Sequence, residues 1–192
     1  MTMISAFELS KFSIYRKNRT LQGKYFVCDV SGHRQLYAQV ETPFFPWTPK
    51  PFMAVYADEM KKERVLSIEM KGTYTICDEH ARPIGMMERT RKKVLFGHGE
   101  HEWILYGGSG EELGRFETKQ LTSERETLLF TLSSRCQGIG FIKWYGGIDF
   151  RGLAGRQAFI DFTIDSHKIV DRRIVVCAGL ILLEDVRWRH RY

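Results

Sequence analysis

From Ile174 to Leu183 the chain runs ten residues without a polar side chain, and charges close the run on both sides: Asp171, Arg172 and Arg173 before it, Glu184, Asp185 and Arg187 after it. Ten helical residues cover about 15 Å at 1.5 Å per residue, half of the roughly 30 Å hydrocarbon core of a bilayer. Lengthening the run to span a membrane would put several charges in lipid, so no transmembrane span is expected. A strand apolar on every face for ten residues would also be unusually long, although Ile174, Val175 and Val176 are β-branched. The run therefore predicts a helix over about 171–186 with Asp171 as N-cap. Having no polar face, that helix must be enclosed on all sides. Two features fit it badly. Arg172 and Arg173 at its start and Glu184 and Asp185 at its end oppose the helix dipole. Gly179 in its middle costs about 1 kcal/mol against alanine, tolerable where a neighbour must approach closely.

The remaining sequence supplies what could enclose such a helix. "YFVCDVSGHRQLYAQVE" from Tyr25 is echoed by "YTICDEHARPIGMMER" from Tyr74, with Tyr, a β-branched residue, Cys and Asp in the same order. A third copy, "WILYGGSGEELGRFETK" from Trp103, keeps Gly110 seven residues on, as Gly32 is from Tyr25. It also keeps Leu113-Gly114 where the second copy has Ile84-Gly85. A degraded fourth, "LLFTLSSRCQGIGFIKWYGG", opens its second strand at Ile139-Gly140. Aromatic and β-branched residues alternating between Gly, Asp and Ser clusters mark antiparallel hairpins. The charged segments 58–64, 88–93 and 121–127 are too short for linkers, so residues 1–192 read as one domain. Roughly twelve short strands and one all-apolar helix are reconciled by a closed antiparallel barrel wrapped around the helix, a mainly β fold with no free sheet edge.

The C-terminal third carries a resemblance. "GFIKWYGG" from Gly140, "QAFIDFTID" from Gln157 and the apolar helix from Asp171 resemble the ending of phospholipid scramblases, and "FMAVYADEMKKERVLSI" from Phe52 is similar to that family's hairpin at the same place. The pattern is shared by the wider tubby-like superfamily, which includes the LURP-one-related proteins. The resemblance implies a twelve-stranded barrel around a central hydrophobic helix and an association with phospholipid. It also implies a calcium-binding segment just before the helix, where this chain has "DFTIDSHKIVDR". Set against an EF-hand loop, that segment offers Asp161, Thr163 and Asp165, but has Ser166 where glycine is needed and Arg172 where the bidentate glutamate belongs. Asp161 and Asp165 are thus metal candidates by resemblance and, more simply, polar residues on one strand face.

Charge directs attention to anionic partners. Twenty-nine Lys and Arg against twenty-three Asp and Glu leave +6, which favours phosphate-bearing surfaces, lipid before nucleic acid, since no nucleic-acid reading motif is present. Arg89, Arg91, Lys92 and Lys93 form the first cluster. Alternation along a strand would set Arg89, Arg91 and Lys93 in one row able to grip phosphates, the alternative being a solvated hairpin end. Arg187 and Arg189 flank Trp188 beyond the helix, either as an interfacial anchor or as a tail closing the barrel. "TPFFPWTPKP" places Phe44, Phe45 and Trp47 among four prolines, a loop suited to a membrane interface, to a protein partner or to capping a barrel mouth. His98 and His101 in "GHGEHEW" have poor spacing for a metal. Four scattered cysteines signal neither zinc nor disulfides and suit a reducing compartment such as the cytoplasm. The first residues, "MTMISAFELSKF", lack the pattern of an export signal. Cys28 and Cys77 hold equivalent strand positions, which favours packing over nucleophilic chemistry. With no GxSxG, Walker loop, dinucleotide fingerprint or HExxH, no enzyme and no cofactor are expected.

Overall fold

The computed structural model describes residues 7–17, 23–41, 52–91, 101–122, 125–132, 137–148 and 154–189. Twelve strands precede one helix: β1 (Lys11–Arg16), β2 (Lys24–Cys28), β3 (Arg34–Glu41), β4 (Phe52–Tyr56), β5 (Arg64–Lys71), β6 (Thr73–Asp78), β7 (Pro83–Arg91), β8 (His101–Gly107), β9 (Glu112–Thr122), β10 (Arg125–Leu132), β11 (Gln137–Ile148), β12 (Ala154–Asp161) and α1 (Arg172–Arg189). Each strand pairs antiparallel with its neighbour in sequence, and β1 pairs with both β2 and β12, so the sheet closes on itself. The expected barrel around an apolar helix is the fold.

Alternation decides what faces inward. Tyr25 and Val27 of β2, Leu36, Ala38 and Val40 of β3, and Trp103 and Leu105 of β8 join the helix in one core. Glu88, Glu102, Arg115 and Glu117 occupy the alternate positions of β7, β8 and β9, where Arg115 bonds Glu112 and Glu102. Apolar inside and charged outside is the reverse of a membrane-spanning barrel. Among the described residues no helix is long and apolar enough to cross a membrane.

No side chain from Ile174 to Leu183 is more than 3 % exposed, and each buried Val, Leu or Ile contributes about 1.5–3 kcal/mol. Asp171 caps the helix as expected, its Oδ1 accepting the Arg173 N–H at 2.8 Å. The helix runs three residues past the expected 186, because helical hydrogen bonding continues after the apolar pattern that marked it has ended. Gly179 is explained by packing: a Cβ there would lie 2.3 Å from Ile160 Cδ1 and 2.9 Å from Ile14 Cδ1. The close neighbours are side chains of β12 and β1, not a backbone.

The sequence repeat is a repeated turn. Asp29 N–H donates to His33 O and Gly32 N–H to Asp29 O, each at 3.0 Å. Asp78, Ala81 and Arg82 repeat the pair at the same lengths, and Gly107, Gly110 and Glu111 at 2.9 and 3.1 Å. The left-handed position falls seven residues after Tyr25, Tyr74 and Trp103, on Gly32 (φ 82°), Ala81 (φ 61°) and Gly110 (φ 85°). The glycines that open the second strands make room: a Cβ on Gly85 would meet Ile174, one on Gly114 the Thr131 carbonyl at 2.3 Å, and one on Gly140 the Phe162 ring at 2.6 Å.

Candidate functional site

Antiparallel connectivity sorts every connection to one of two ends. The turns β2–β3, β4–β5, β6–β7 and β8–β9 and the passage from β12 into α1 share the turn end. At the far end β7 finishes, β8 begins, and α1 finishes: the Tyr25 hydroxyl, one residue into β2, donates to the Glu184 carboxylate. Arg189 lies about 7.5 Å further along the helix axis at 1.5 Å per residue.

At the far end the inward row of β7 reads Gly85, Met87, Arg89. Met87 is fully buried, and the half-buried Arg89 carries its guanidinium 5.9 Å from the centroid of Trp103, its partner on β8. Trp103 packs at 5.9 Å against Tyr74. The row expected from alternation therefore follows the interior wall to the barrel rim, above an aromatic floor that attracts cations. Arg91 continues the row by backbone position opposite His101. Lys92, Lys93 and His98 lie outside the described residues, as do Phe44, Phe45 and Trp47 in the 42–51 connection between Glu41 and Phe52. Arg187 and Arg189 belong to α1 itself and form no separate tail or strand. Topology thus brings Arg89, Arg91, Arg187 and Arg189 to one end of the barrel, on two different elements.

The aspartates go elsewhere. Asp161 ends β12, where its Oδ1 accepts the Thr163 N–H at 2.9 Å and its Oδ2 pairs with Lys11 at 3.2 Å. Burial pushes its carboxyl up, but these hydrogen bonds and Lys11 outweigh that and hold it below the ordinary value. Asp165 is not on the strand face expected for it, because the strand stops at Asp161 and the chain turns. It is 2 % exposed and accepts Ile169 N–H at 2.8 Å, Val170 N–H at 3.2 Å and Arg172 Nη1 at 2.7 Å. Arg172 also donates to the carbonyls of Val170 at 3.2 Å, Phe162 at 3.3 Å and Asp165 at 2.8 Å, over the Phe162 ring. One guanidinium takes up the Asp165 carboxylate, a ligand position in an EF-hand register, together with three backbone carbonyls, and it stands where the bidentate glutamate would be. The misfit of Arg172 with the helix dipole is thereby explained, because its guanidinium is committed to this loop. Among the described residues no group of three or more His, Cys, Asp or Glu side chains could hold a metal ion.

One feature was not legible as a site. On the outer wall Phe26, Tyr37 and Tyr56 stack at 5.6 and 6.4 Å, and Arg34 covers the Phe26 ring at 4.1 Å while pairing with Glu59 at 3.7 Å. Burial, with its hydrogen bond to Glu41, pushes the Tyr56 hydroxyl up to about 12. Cys28 sits in this wall and Cys177 in the helix. Burial pushes both thiols up, the wrong direction for a nucleophile. No protein-family model, no curated protein and no solved structure matches this chain.

Proposed function

We propose that this chain is a non-enzymatic, scramblase-like and tubby-like barrel that docks on anionic phospholipid at a cytoplasmic membrane surface. The observation that carries the reading is that the topology places Arg89 and Arg91 of β7 and Arg187 and Arg189 in the last turn of α1 at the same end of the barrel. Cations on two rigid elements can meet phosphates without first ordering a loop, and each contributes on the order of 1 kcal/mol near an anionic surface. The barrel around a hydrophobic helix is also the architecture that the scramblase resemblance implies, which supports membership of that superfamily. Docking, not translocation, is the proposed act, because a helix enclosed on every side offers lipid no path across a bilayer. The protein-scaffold alternative rests on Phe44, Phe45 and Trp47, and no described contact favours it.

Sedimentation with liposomes of graded anionic content, with and without calcium and at two salt concentrations, tests the reading. Retention is expected to rise with anionic lipid, fall with salt and ignore calcium. Retention that does not change with anionic content would remove it.

A further inference from the structure

We infer that the turn end carries a second docking surface, an aliphatic one, for the interfacial region of a phospholipid bilayer. Val30 is 67 % exposed, Met60 74 %, Ile164 61 % and Ile169 44 %. All four stand on three connections of the same rim: β2–β3, β4–β5 and the passage from β12 into α1. These connections are neighbours around the barrel, since β12 pairs with β1, β1 with β2 and β3 with β4, and Phe162 N–H donates to Ser10 O at 2.7 Å beside the start of β1. Exposed aliphatic side chains gathered on one rim mark a contact surface.

Backbone conformation supplies the independent observation. The β2–β3 and β8–β9 turns place Gly32 and Gly110 in the left-handed position, as its sterics favour. The connections bearing Met60 and Ile164 instead place Lys61 (φ 57°) and Lys168 (φ 50°) there. The turn geometry fixes each lysine next to an exposed aliphatic side chain, Lys61 beside Met60 and Lys168 beside Ile169. Lys61, Lys62 and Lys168 are exposed beside the aliphatic tips, the pairing found where apolar side chains enter the acyl boundary and lysines reach back to phosphates. Asp58, Glu59 and Glu63 share the Met60 connection and more than offset the charge of its two lysines. Aliphatic insertion is therefore the main attraction and headgroup charge the lesser one, the opposite order from the arginine rim. A bilayer is favoured over a protein because the tips stand on separate connections and are flanked by lysine, a residue depleted from protein interfaces.

The test uses small unilamellar vesicles of phosphatidylcholine alone and with added phosphatidylserine, and three variants of the whole chain. The wild type is expected to sediment with phosphatidylcholine. Val30→Ser/Met60→Ser/Ile164→Ser/Ile169→Ser is expected to lose about tenfold or more of that binding with its unfolding midpoint unchanged. Lys61→Gly/Lys168→Gly is expected to raise the midpoint yet weaken binding to the serine-containing vesicles, a combination that a purely structural role would not produce. Arg89→Gln/Arg91→Gln is expected to reduce binding to the serine-containing vesicles while leaving phosphatidylcholine binding unchanged, which separates the aliphatic surface from the arginine rim. The inference is overturned if the serine variant binds phosphatidylcholine as the wild type does, or if the wild type ignores phosphatidylcholine. Self-association abolished by the serine substitutions, without vesicle binding, would assign the tips to a second copy of the chain and likewise overturn it.

Discussion

The two ends of the barrel are made from the same strands and hold together by different means. At the turn end, backbone hydrogen bonds close each hairpin, aspartates cap Ser31, His33, His80 and Arg82 N–H groups at 2.9 Å, and the buried pair Asp165–Arg172 ties the last strand to the helix. At the far end, the Tyr25–Glu184 contact anchors the helix and cations line the rim. Stability is concentrated at the paired groups of the turn end, and the proposed binding charge at the far end. Substitutions should therefore separate: changes to the paired polar groups of the turn end should move unfolding, and changes to the far-end arginines or to the exposed aliphatic tips should move binding.

The largest effect is expected at the clamp. Its side chains are 2 % and 0 % exposed, and removing one partner strands the other, so Arg172→Met or Asp165→Leu should cost about 3–5 kcal/mol in urea unfolding. A loss under 1 kcal/mol would show that the loop does not depend on the guanidinium. Next come the glycines of the second strands. Gly114→Ala, which meets a backbone carbonyl, and Gly140→Ala, which meets an aromatic ring, should each lower stability by about 1–3 kcal/mol.

Acid should act on the turn end in particular. Burial raises the carboxyls of Asp29 and Asp78, but the hydrogen bonds within their own turns outweigh it and hold both below the ordinary aspartate value. Groups with depressed folded values contribute stability that is present above the unfolded value and lost as pH falls through the folded one. Thermal midpoints should therefore hold down to about pH 4 and drop below it, less in a variant carrying Asp78→Ala. The smallest effect has the opposite sign: Ala81→Gly, which relieves a left-handed alanine, should raise stability by about 0.5 kcal/mol. A fall on that substitution would show that flexibility of the unfolded chain outweighs the strain.

The barrel and its helix were legible because both are written in side-chain periodicity. Ile174 to Leu183 admitted only an enclosed helix, and Tyr25, Tyr74 and Trp103 marked three hairpins at a common spacing. What escaped was written in tertiary contacts. Arg172 looked like a misfit with the helix dipole, because its partners lie seven to ten residues back across a turn that periodicity does not describe. Ala81 hid the left-handed position in the second copy of the turn, since nothing in an alanine announces a positive φ. The outer wall of Phe26, Tyr37 and Tyr56 broke the rule that outward positions are polar, and the side chains of Lys17 and Arg34 over Phe26, both paired with Glu59, resolve the exception. The basic row on β7 was legible as a row. Whether it faced inward or outward depended on Met87, whose burial fixes the parity.

The arginine rim is the part of the account that most needs a direct test. Wild-type protein and Arg89→Gln/Arg91→Gln should be compared for retention on phosphatidylserine-containing liposomes at low salt, with thermal unfolding measured on the same samples. Two cations at about 1 kcal/mol each predict a roughly 30-fold loss of affinity, with the midpoint held within about 4 °C. Retention equal to the wild type's in a folded variant would contradict the rim as the phospholipid site.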